Sequence, residues 1–196
     1  RPADGSALVH FDVRGLDVGV AAGLSNDPLL RTAMGHEDPY AALASAVGAT
    51  SMPRAAFKRA LLAHMYGVGT SSLAQVTHIE PDAADGLLRR LRLKLHRFQA
   101  WREDTIVHGR NGGVVTTALG WRYRPIASDR NARIANVPVQ GTGADLVRLV
   151  AVELAMQGLA VLGTVHDAVV MEVCEGEVGD AIFAADTILA RSSDRL

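Results

Sequence analysis

Cysteine is almost missing from this sequence. The single residue, Cys174, excludes an internal disulfide and fits a reducing compartment. Long apolar runs are missing too. No stretch approaches the ~18 uninterrupted apolar residues of a membrane span, so no membrane partner is expected. The N-terminal stretch has no secretory hydrophobic segment, and a cytoplasmic setting is expected. Neither sign of charge is in excess: 20 Lys and Arg stand against 21 Asp and Glu, a net charge of −1. The isoelectric point of about 6.7 is a poor match to a simple nucleic-acid-binding module, for which values above ~9 are usual. Repeats, low-complexity tracts and an interdomain linker are not found.

What is there is enough to fold. The 196 residues are 48% hydrophobic and 21% charged, which suits one domain, or one core with a subdomain. The cations are unevenly placed. Arg89, Arg90, Arg92, Lys94, Arg97 and Arg102 cluster in one segment, and Arg122, Arg124, Arg130 and Arg133 in another. A local basic surface on a near-neutral protein suits an enzyme that slides along a polymer and releases it. Solvated helix faces are the competing reading.

Residues 7–13 read as a strand, and 16–24 as the start of a helix. Asp38-Pro39 is a helix opening, an N-cap followed by proline at the first helical position, with a helix over 39–47. Ser51-Met52-Pro53 is expected to repeat that opening before a helix running to Met65, which Gly67 and Gly69 stop. Helices are expected over 70–76, 81–108, 129–135, 141–157 and 177–190. Asn111-Gly112-Gly113 and Leu119-Gly120 read as turns around a strand at 114–117. Residues 160–165 and 168–173 form a hairpin around His166-Asp167.

Four blocks carry the chemistry. Phe11-Asp12-Val13 ends the first strand. Arg54, Lys58, Leu62 and Tyr66, spaced by four and followed by Gly67, lie along one drifting stripe of a helix. Its cations suit a triphosphate and its ring a base; an amphipathic surface helix with Tyr66 in the core is the alternative. Asn136-Val137-Pro138-Val139-Gln140-Gly141-Thr142-Gly143-Ala144-Asp145 places two amides four apart, just before an expected helix. Amides both donate and accept hydrogen bonds. Thr164-Val165-His166-Asp167-Ala168 puts a carboxylate at a hairpin tip, where Asp also serves as a plain turn former.

These blocks, in this order, resemble the core of family A DNA polymerases, the DNA polymerase I type. The resemblance covers about residues 8–190. It implies an α+β fold: a right-hand palm, with an antiparallel sheet and helices, from residues 1–30 and 126–196, and helical fingers from 31–125. A thumb is absent from it. The implied activity is template-directed DNA synthesis by a two-metal-ion mechanism. Asp12 and Asp167 are the implied ligands of two Mg²⁺ ions, and Lys58 joins them in catalysis. Arg54, Lys58, Tyr66, Leu62, Asp17 and Tyr40 are the implied nucleotide-binding set. Asn136, Gln140, His166 and Arg133 are the implied nucleic-acid contacts, Arg133 lying one place from the family's usual arginine. The implied partners are primer–template DNA and dNTP, with a further chain or domain supplying thumb and exonuclease, in a nucleoid-associated setting.

The departures matter. Asp17 stands where the family places a glutamate that blocks the ribose 2′-hydroxyl. Leu62 replaces a Phe or Tyr, and Ala168 replaces the glutamate after His-Asp. Tyr40 and Lys58-Arg59 look more like single-subunit, phage-type RNA polymerases, which generally lack the block at 140–145. A weak or inactive polymerase-like module that binds nucleic acid, and an RNA polymerase or primase-like relative, are the alternatives.

Overall fold

A computed structural model of the chain describes residues 1–194. It divides into two compact units, one of residues 1–16 and 140–196, the other of residues 17–139.

In the first unit, strand β1 (Ser6–Asp12) pairs antiparallel with a strand near the other end of the chain. Helices α1 (Leu16–Ser25), α2 (Pro28–Met34), α3 (Pro39–Ala46), α4 (Arg54–Met65), α5 (Thr70–Thr77), α6 (Pro81–Lys94) and α7 (His96–Arg110) come first. Strands β2 (Val115–Thr116) and β3 (Arg122–Tyr123), helix α8 (Asn131–Met156), strands β4 (Ala160–Val165) and β5 (Ala168–Cys174), and helix α9 (Val178–Ser193) follow.

The first unit's sheet has the order β1-β5-β4. Period-two alternation sends Val9 and Phe11 of β1, and Val13 just beyond it, to one face, with Val169, Met171 and Val173 of β5. The register sets Val9 against Met171 and Phe11 against Val169. Val147, Val150 and Leu154 of α8 and Ala181, Ala185 and Ile188 of α9 close over that face. Burying each large apolar side chain contributes about 1.5–3 kcal/mol. That core fixes the register, since a slip by one residue would turn Asp12 inward. In α8, Gly143 allows a close approach: a Cβ there would come to 3.2 Å from the Leu16 side chain.

The second unit is mostly helical. Leu30, Leu43, Phe57, Leu61, Leu73, Leu87, Leu91 and Phe98 are fully buried. One carboxylate organises two of its helices. Asp27 is fully buried, and its Oδ1 accepts the Leu29 and Leu30 N–H groups at 3.0 and 3.2 Å, capping α2. Its Oδ2 accepts the Phe98 N–H at 3.1 Å in the first turn of α7. Helix α2 was not anticipated, although Asp27-Pro28 is the same opening as Asp38-Pro39. We expect Asp27→Ala to cost roughly 2–4 kcal/mol, a lost cap plus buried N–H groups without a partner. Urea denaturation measures it, and a loss below about 0.5 kcal/mol would refute the double cap.

Other expectations are corrected. The helix expected over 81–108 breaks at Leu95, whose φ of −98° and ψ of 43° leave the helical region. The two helices expected over 129–135 and 141–157 form one, α8, with Pro138 inside it. Proline removes a bond to the fourth residue before it, but Ile134 and Val139 on either side are buried and hold the helix through. Ser51 caps nothing: the N-cap of α4 is Pro53, with no side-chain cap bond. The turn at Leu119-Gly120 leads into a return strand, β3, that had not been anticipated. Among the described residues, no helix is long and apolar enough to cross a membrane.

Candidate active site

In the first unit the structure brings the two aspartates together. Asp12 is paired with Ala168, the residue after Asp167, and the Val13 N–H donates to the Asp167 carbonyl at 3.0 Å. Both carboxylates therefore lie at the same end of neighbouring strands. Asp12 is exposed, on the face away from the apolar core, and Asp167 is half-buried. Among the described residues neither has a hydrogen-bonding or ion-pairing partner for its side chain, and no group of three or more His, Cys, Asp and Glu gathers as a metal cage. Two hard carboxylates with no further protein ligands fit Mg²⁺, which keeps several waters and shares its sphere with phosphate oxygens.

His166 begins the tight turn with φ of +55°. This region disfavours side chains, though His is among those that tolerate it. Its ring is exposed. Ala168 is fully buried. Gln140 is exposed and Asn136 half-buried, both within α8 and not ahead of a helix as expected.

The second unit carries the cationic stripe on α4. At its start, Arg54 Nε and Nη2 donate to the two oxygens of Asp38, at 2.5 and 3.1 Å. Asp38 also caps α3 through the Tyr40 and Ala41 N–H groups. The Arg54 bond, with those backbone bonds, lowers the Asp38 pKa, and Asp38 in turn raises that of Arg54. Tyr40 is buried, with the Arg54 guanidinium 5.4 Å and the Lys58 ammonium 5.3 Å from its ring centroid. Its ring is thus a floor beneath both cations. Lys58 is exposed and has no carboxylate partner among the described residues.

Leu62 is half-buried, and its carbonyl accepts the Tyr66 N–H at 2.9 Å where the helix ends. Gly67, at φ of +78°, makes the turn: its N–H reaches the His64 carbonyl and that of Val68 the Ala63 carbonyl. The Tyr66 hydroxyl donates to Asp17 Oδ2. Asp17 and Tyr66 are therefore one hydrogen-bonded pair. Arg133 pairs with buried Asp129 at 3.6 Å and lies 5.4 Å over the Tyr123 ring. Asp129 also accepts from the Tyr123 hydroxyl and the Ile126 N–H, so Arg133 is part of the support of this loop.

His64 was overlooked in the sequence. It is buried one turn after Ala60, and the Gln99 amide donates to its Nε2 at 2.9 Å. Burial, then the nearby charges of Arg92 and Arg102, pull its pKa down from 6.5 to about 4. The folded state thus binds fewer protons than the unfolded state between those values. Stability is full above pH 6.5, falls through the window and loses roughly 3 kcal/mol by pH 4. Denaturation against pH measures this; His64→Gln should flatten the slope, and an equal slope in both forms would contradict the assignment.

An antiparallel sheet that presents two carboxylates, and a helical unit with a cationic stripe ending in Tyr-Gly, define a polymerase-type fold. Residues 1–194 match the family model for DNA polymerase family A, and the chain belongs to that family. The resemblance and the α+β class are thereby borne out. The thermostable DNA polymerase I of Thermus aquaticus is 32% identical over 189 residues, which cover 86% of this chain and 23% of that protein. DNA polymerase I of Chloroflexus aurantiacus is 32% identical over 200 residues, covering 90% and 21%. A solved structure, the POL domain of Pol1 from M. smegmatis in complex with DNA primer-template and dNTP, superposes with a TM-score of 0.82 at 25% identity. It covers 97% of this chain and 38% of that one. The chain spans about a fifth of the length of the curated relatives it matches.

Proposed function

We propose that this chain carries the catalytic core of template-directed DNA synthesis, the transfer of a nucleotidyl group from a dNTP to a primer 3′-hydroxyl with release of pyrophosphate. One observation carries this reading: the strand pairing that sets Asp12 beside Asp167 at one end of the sheet. Family membership and the likeness to a polymerase domain described with primer-template and dNTP support it.

Asp12 and Asp167 would hold two Mg²⁺ ions, which when bound favour the attacking hydroxyl and offset charge on the leaving pyrophosphate. Lys58 neutralises the triphosphate. Arg54 joins it by exchanging Asp38 for phosphate; the pair is solvent-screened, so the exchange is cheap. Tyr66 and Leu62 flank the incoming nucleotide, with Tyr40 beneath the cations. Asn136 and Gln140 contact the minor groove, His166 the primer end and Arg133 the backbone. In this reading residues 1–30 and 126–196 form the palm and 31–125 the fingers. A thumb and exonuclease come from the rest of a longer protein or from another chain, and the nucleoid is the setting.

Primer extension tests this. With Mg²⁺, the chain should add only the dNTP complementary to the template base; untemplated addition, or none, would overturn it. A second reading, binding of primed DNA without turnover, is favoured by Ala168, a buried methyl where the family has a carboxylate. Tight DNA binding with no extension would select it, and extension with NTP but not with dNTP would select an RNA polymerase relative.

Sugar choice should be weak. Asp17 is one methylene shorter than the family's glutamate and is drawn to the Tyr66 hydroxyl, and Leu62 is smaller than an aromatic ring. A methylene in a close-fitting pocket is worth about 1–3 kcal/mol, roughly 10–200-fold. We expect Asp17→Glu to raise the kcat/KM ratio of dATP over ATP opposite template T by an amount in that range. A strict dATP preference in the wild type, unchanged by the substitution, would refute this view of the pocket.

A further inference from the structure

The second unit contains a cavity that the polymerase reading does not use. It has a volume of about 550 Å³, within the range of small-molecule sites, which is roughly 300–1,000 Å³. Met52, Ile79 and Leu87 give it an apolar floor, and Arg59, Arg90 and His78 line it as well. No carboxylate is among the lining residues.

The two arginines are anchored in the same way. Arg59 Nε donates to the Val76 carbonyl at 3.1 Å, and Arg90 Nε to the Val47 carbonyl at 2.9 Å. Each bond fixes one edge of a planar guanidinium and leaves its Nη groups for another acceptor. Among the described residues neither arginine has an ion pair. The neighbour Arg89, by contrast, is paired with Asp85 at 3.1 Å. On α4, Arg59 follows Lys58 directly, yet it donates toward Val76 at the end of α5 while Lys58 lies over Tyr40. The adjacent Lys-Arg pair thus serves two separate places.

We propose that this cavity binds a phosphate monoester whose other end is an aromatic ring with an apolar face, the chemistry of a nucleoside monophosphate. Two anchored guanidinium groups offer more donors than one carboxylate can accept. A phosphate monoester has three terminal oxygens and up to two negative charges, and it satisfies both forks. The apolar floor takes the ring, which inorganic phosphate lacks. This site stands apart from the polymerase reading, and an absence of primer extension would leave it intact.

The test titrates dAMP, inorganic phosphate and deoxyadenosine into the intact chain, by calorimetry and by backbone amide shifts. We expect dAMP to bind more tightly than either fragment and to shift the amides of Ala49, Thr77 and Ile79. Arg59→Ala with Arg90→Ala should weaken dAMP at least tenfold, and Lys58→Ala should leave its affinity within twofold. Arg90 also supports the main chain at Val47, so Arg59→Gln alone, on an exposed side chain, decides the matter should the double variant fail to fold. It should weaken dAMP at least threefold. Equal binding of dAMP and inorganic phosphate, equal binding of dAMP and deoxyadenosine, or loss of binding in Lys58→Ala but not in the arginine variants would each overturn the proposal.

Discussion

Replacing either Asp12 or Asp167 by asparagine is expected to abolish primer extension while leaving the fold intact. Each substitution removes a formal charge and a hard oxygen ligand with little change in volume. Bound metal offsets several kcal/mol of developing charge in the transition state, and each 1.36 kcal/mol is tenfold in rate. Losing one of two ligands should therefore cost about a thousandfold or more. The fold should tolerate it because Asp12 is exposed on the face away from the core, and neither side chain has a partner to lose among the described residues. Single-turnover extension, with circular dichroism and urea midpoints alongside, checks both halves. Near wild-type turnover in either variant would remove these residues from the metal site.

The second large effect is expected at Lys58. Lys58→Ala should lower kcat/KM for dNTP by roughly 10²–10³, the ~3–4 kcal/mol of a donor aimed at developing charge. The structure sharpens this expectation. Arg54 is partly occupied by Asp38, whereas Lys58 is exposed above the Tyr40 ring without a carboxylate partner among the described residues. Lys94 is the control. It is an exposed residue in the last turn of α6, and Lys94→Ala should change only the salt dependence of DNA binding, by about one unit of slope. Steady-state kinetics at several salt concentrations separate the two, and equal effects would contradict the distinction.

Much of this was legible because it is local. The alternation in 7–13 and 168–173 gives strands, and the four-residue spacing from Arg54 to Tyr66 gives one helical stripe. The meeting of Asp12 with Asp167 was implied by the family resemblance but not legible from the residues themselves, because it depends on pairing two strands from opposite ends of the chain. The same holds for the Tyr66–Asp17 bond, which joins residues 49 apart, and for the Arg54–Asp38 pair across two helix starts. Other misses were local signals read too lightly. Asp27-Pro28 repeats the opening at Asp38-Pro39, yet α2 was missed. The break at Leu95 left no mark in the apolar pattern, since Leu91, Leu95 and Phe98 keep the helical spacing and are all buried. The helices expected over 129–135 and 141–157 left Pro138 between them, but packing around Ile134 and Val139 carries one helix past it.

The claim on which the rest depends is that Asp12 and Asp167 form a divalent-metal site. Mn²⁺ takes the same oxygen ligands as Mg²⁺ and is visible by electron paramagnetic resonance. Mn²⁺ should be titrated into the chain with primed DNA and a non-hydrolysable dNTP analogue, in the wild type and in the Asp12→Asn, Asp167→Asn double variant. We expect bound Mn²⁺ in the wild type, competed away by Mg²⁺, and its loss in the double variant with the circular dichroism spectrum unchanged. Undiminished Mn²⁺ binding in a folded double variant would show that the ions sit elsewhere and that these two aspartates are not the metal site.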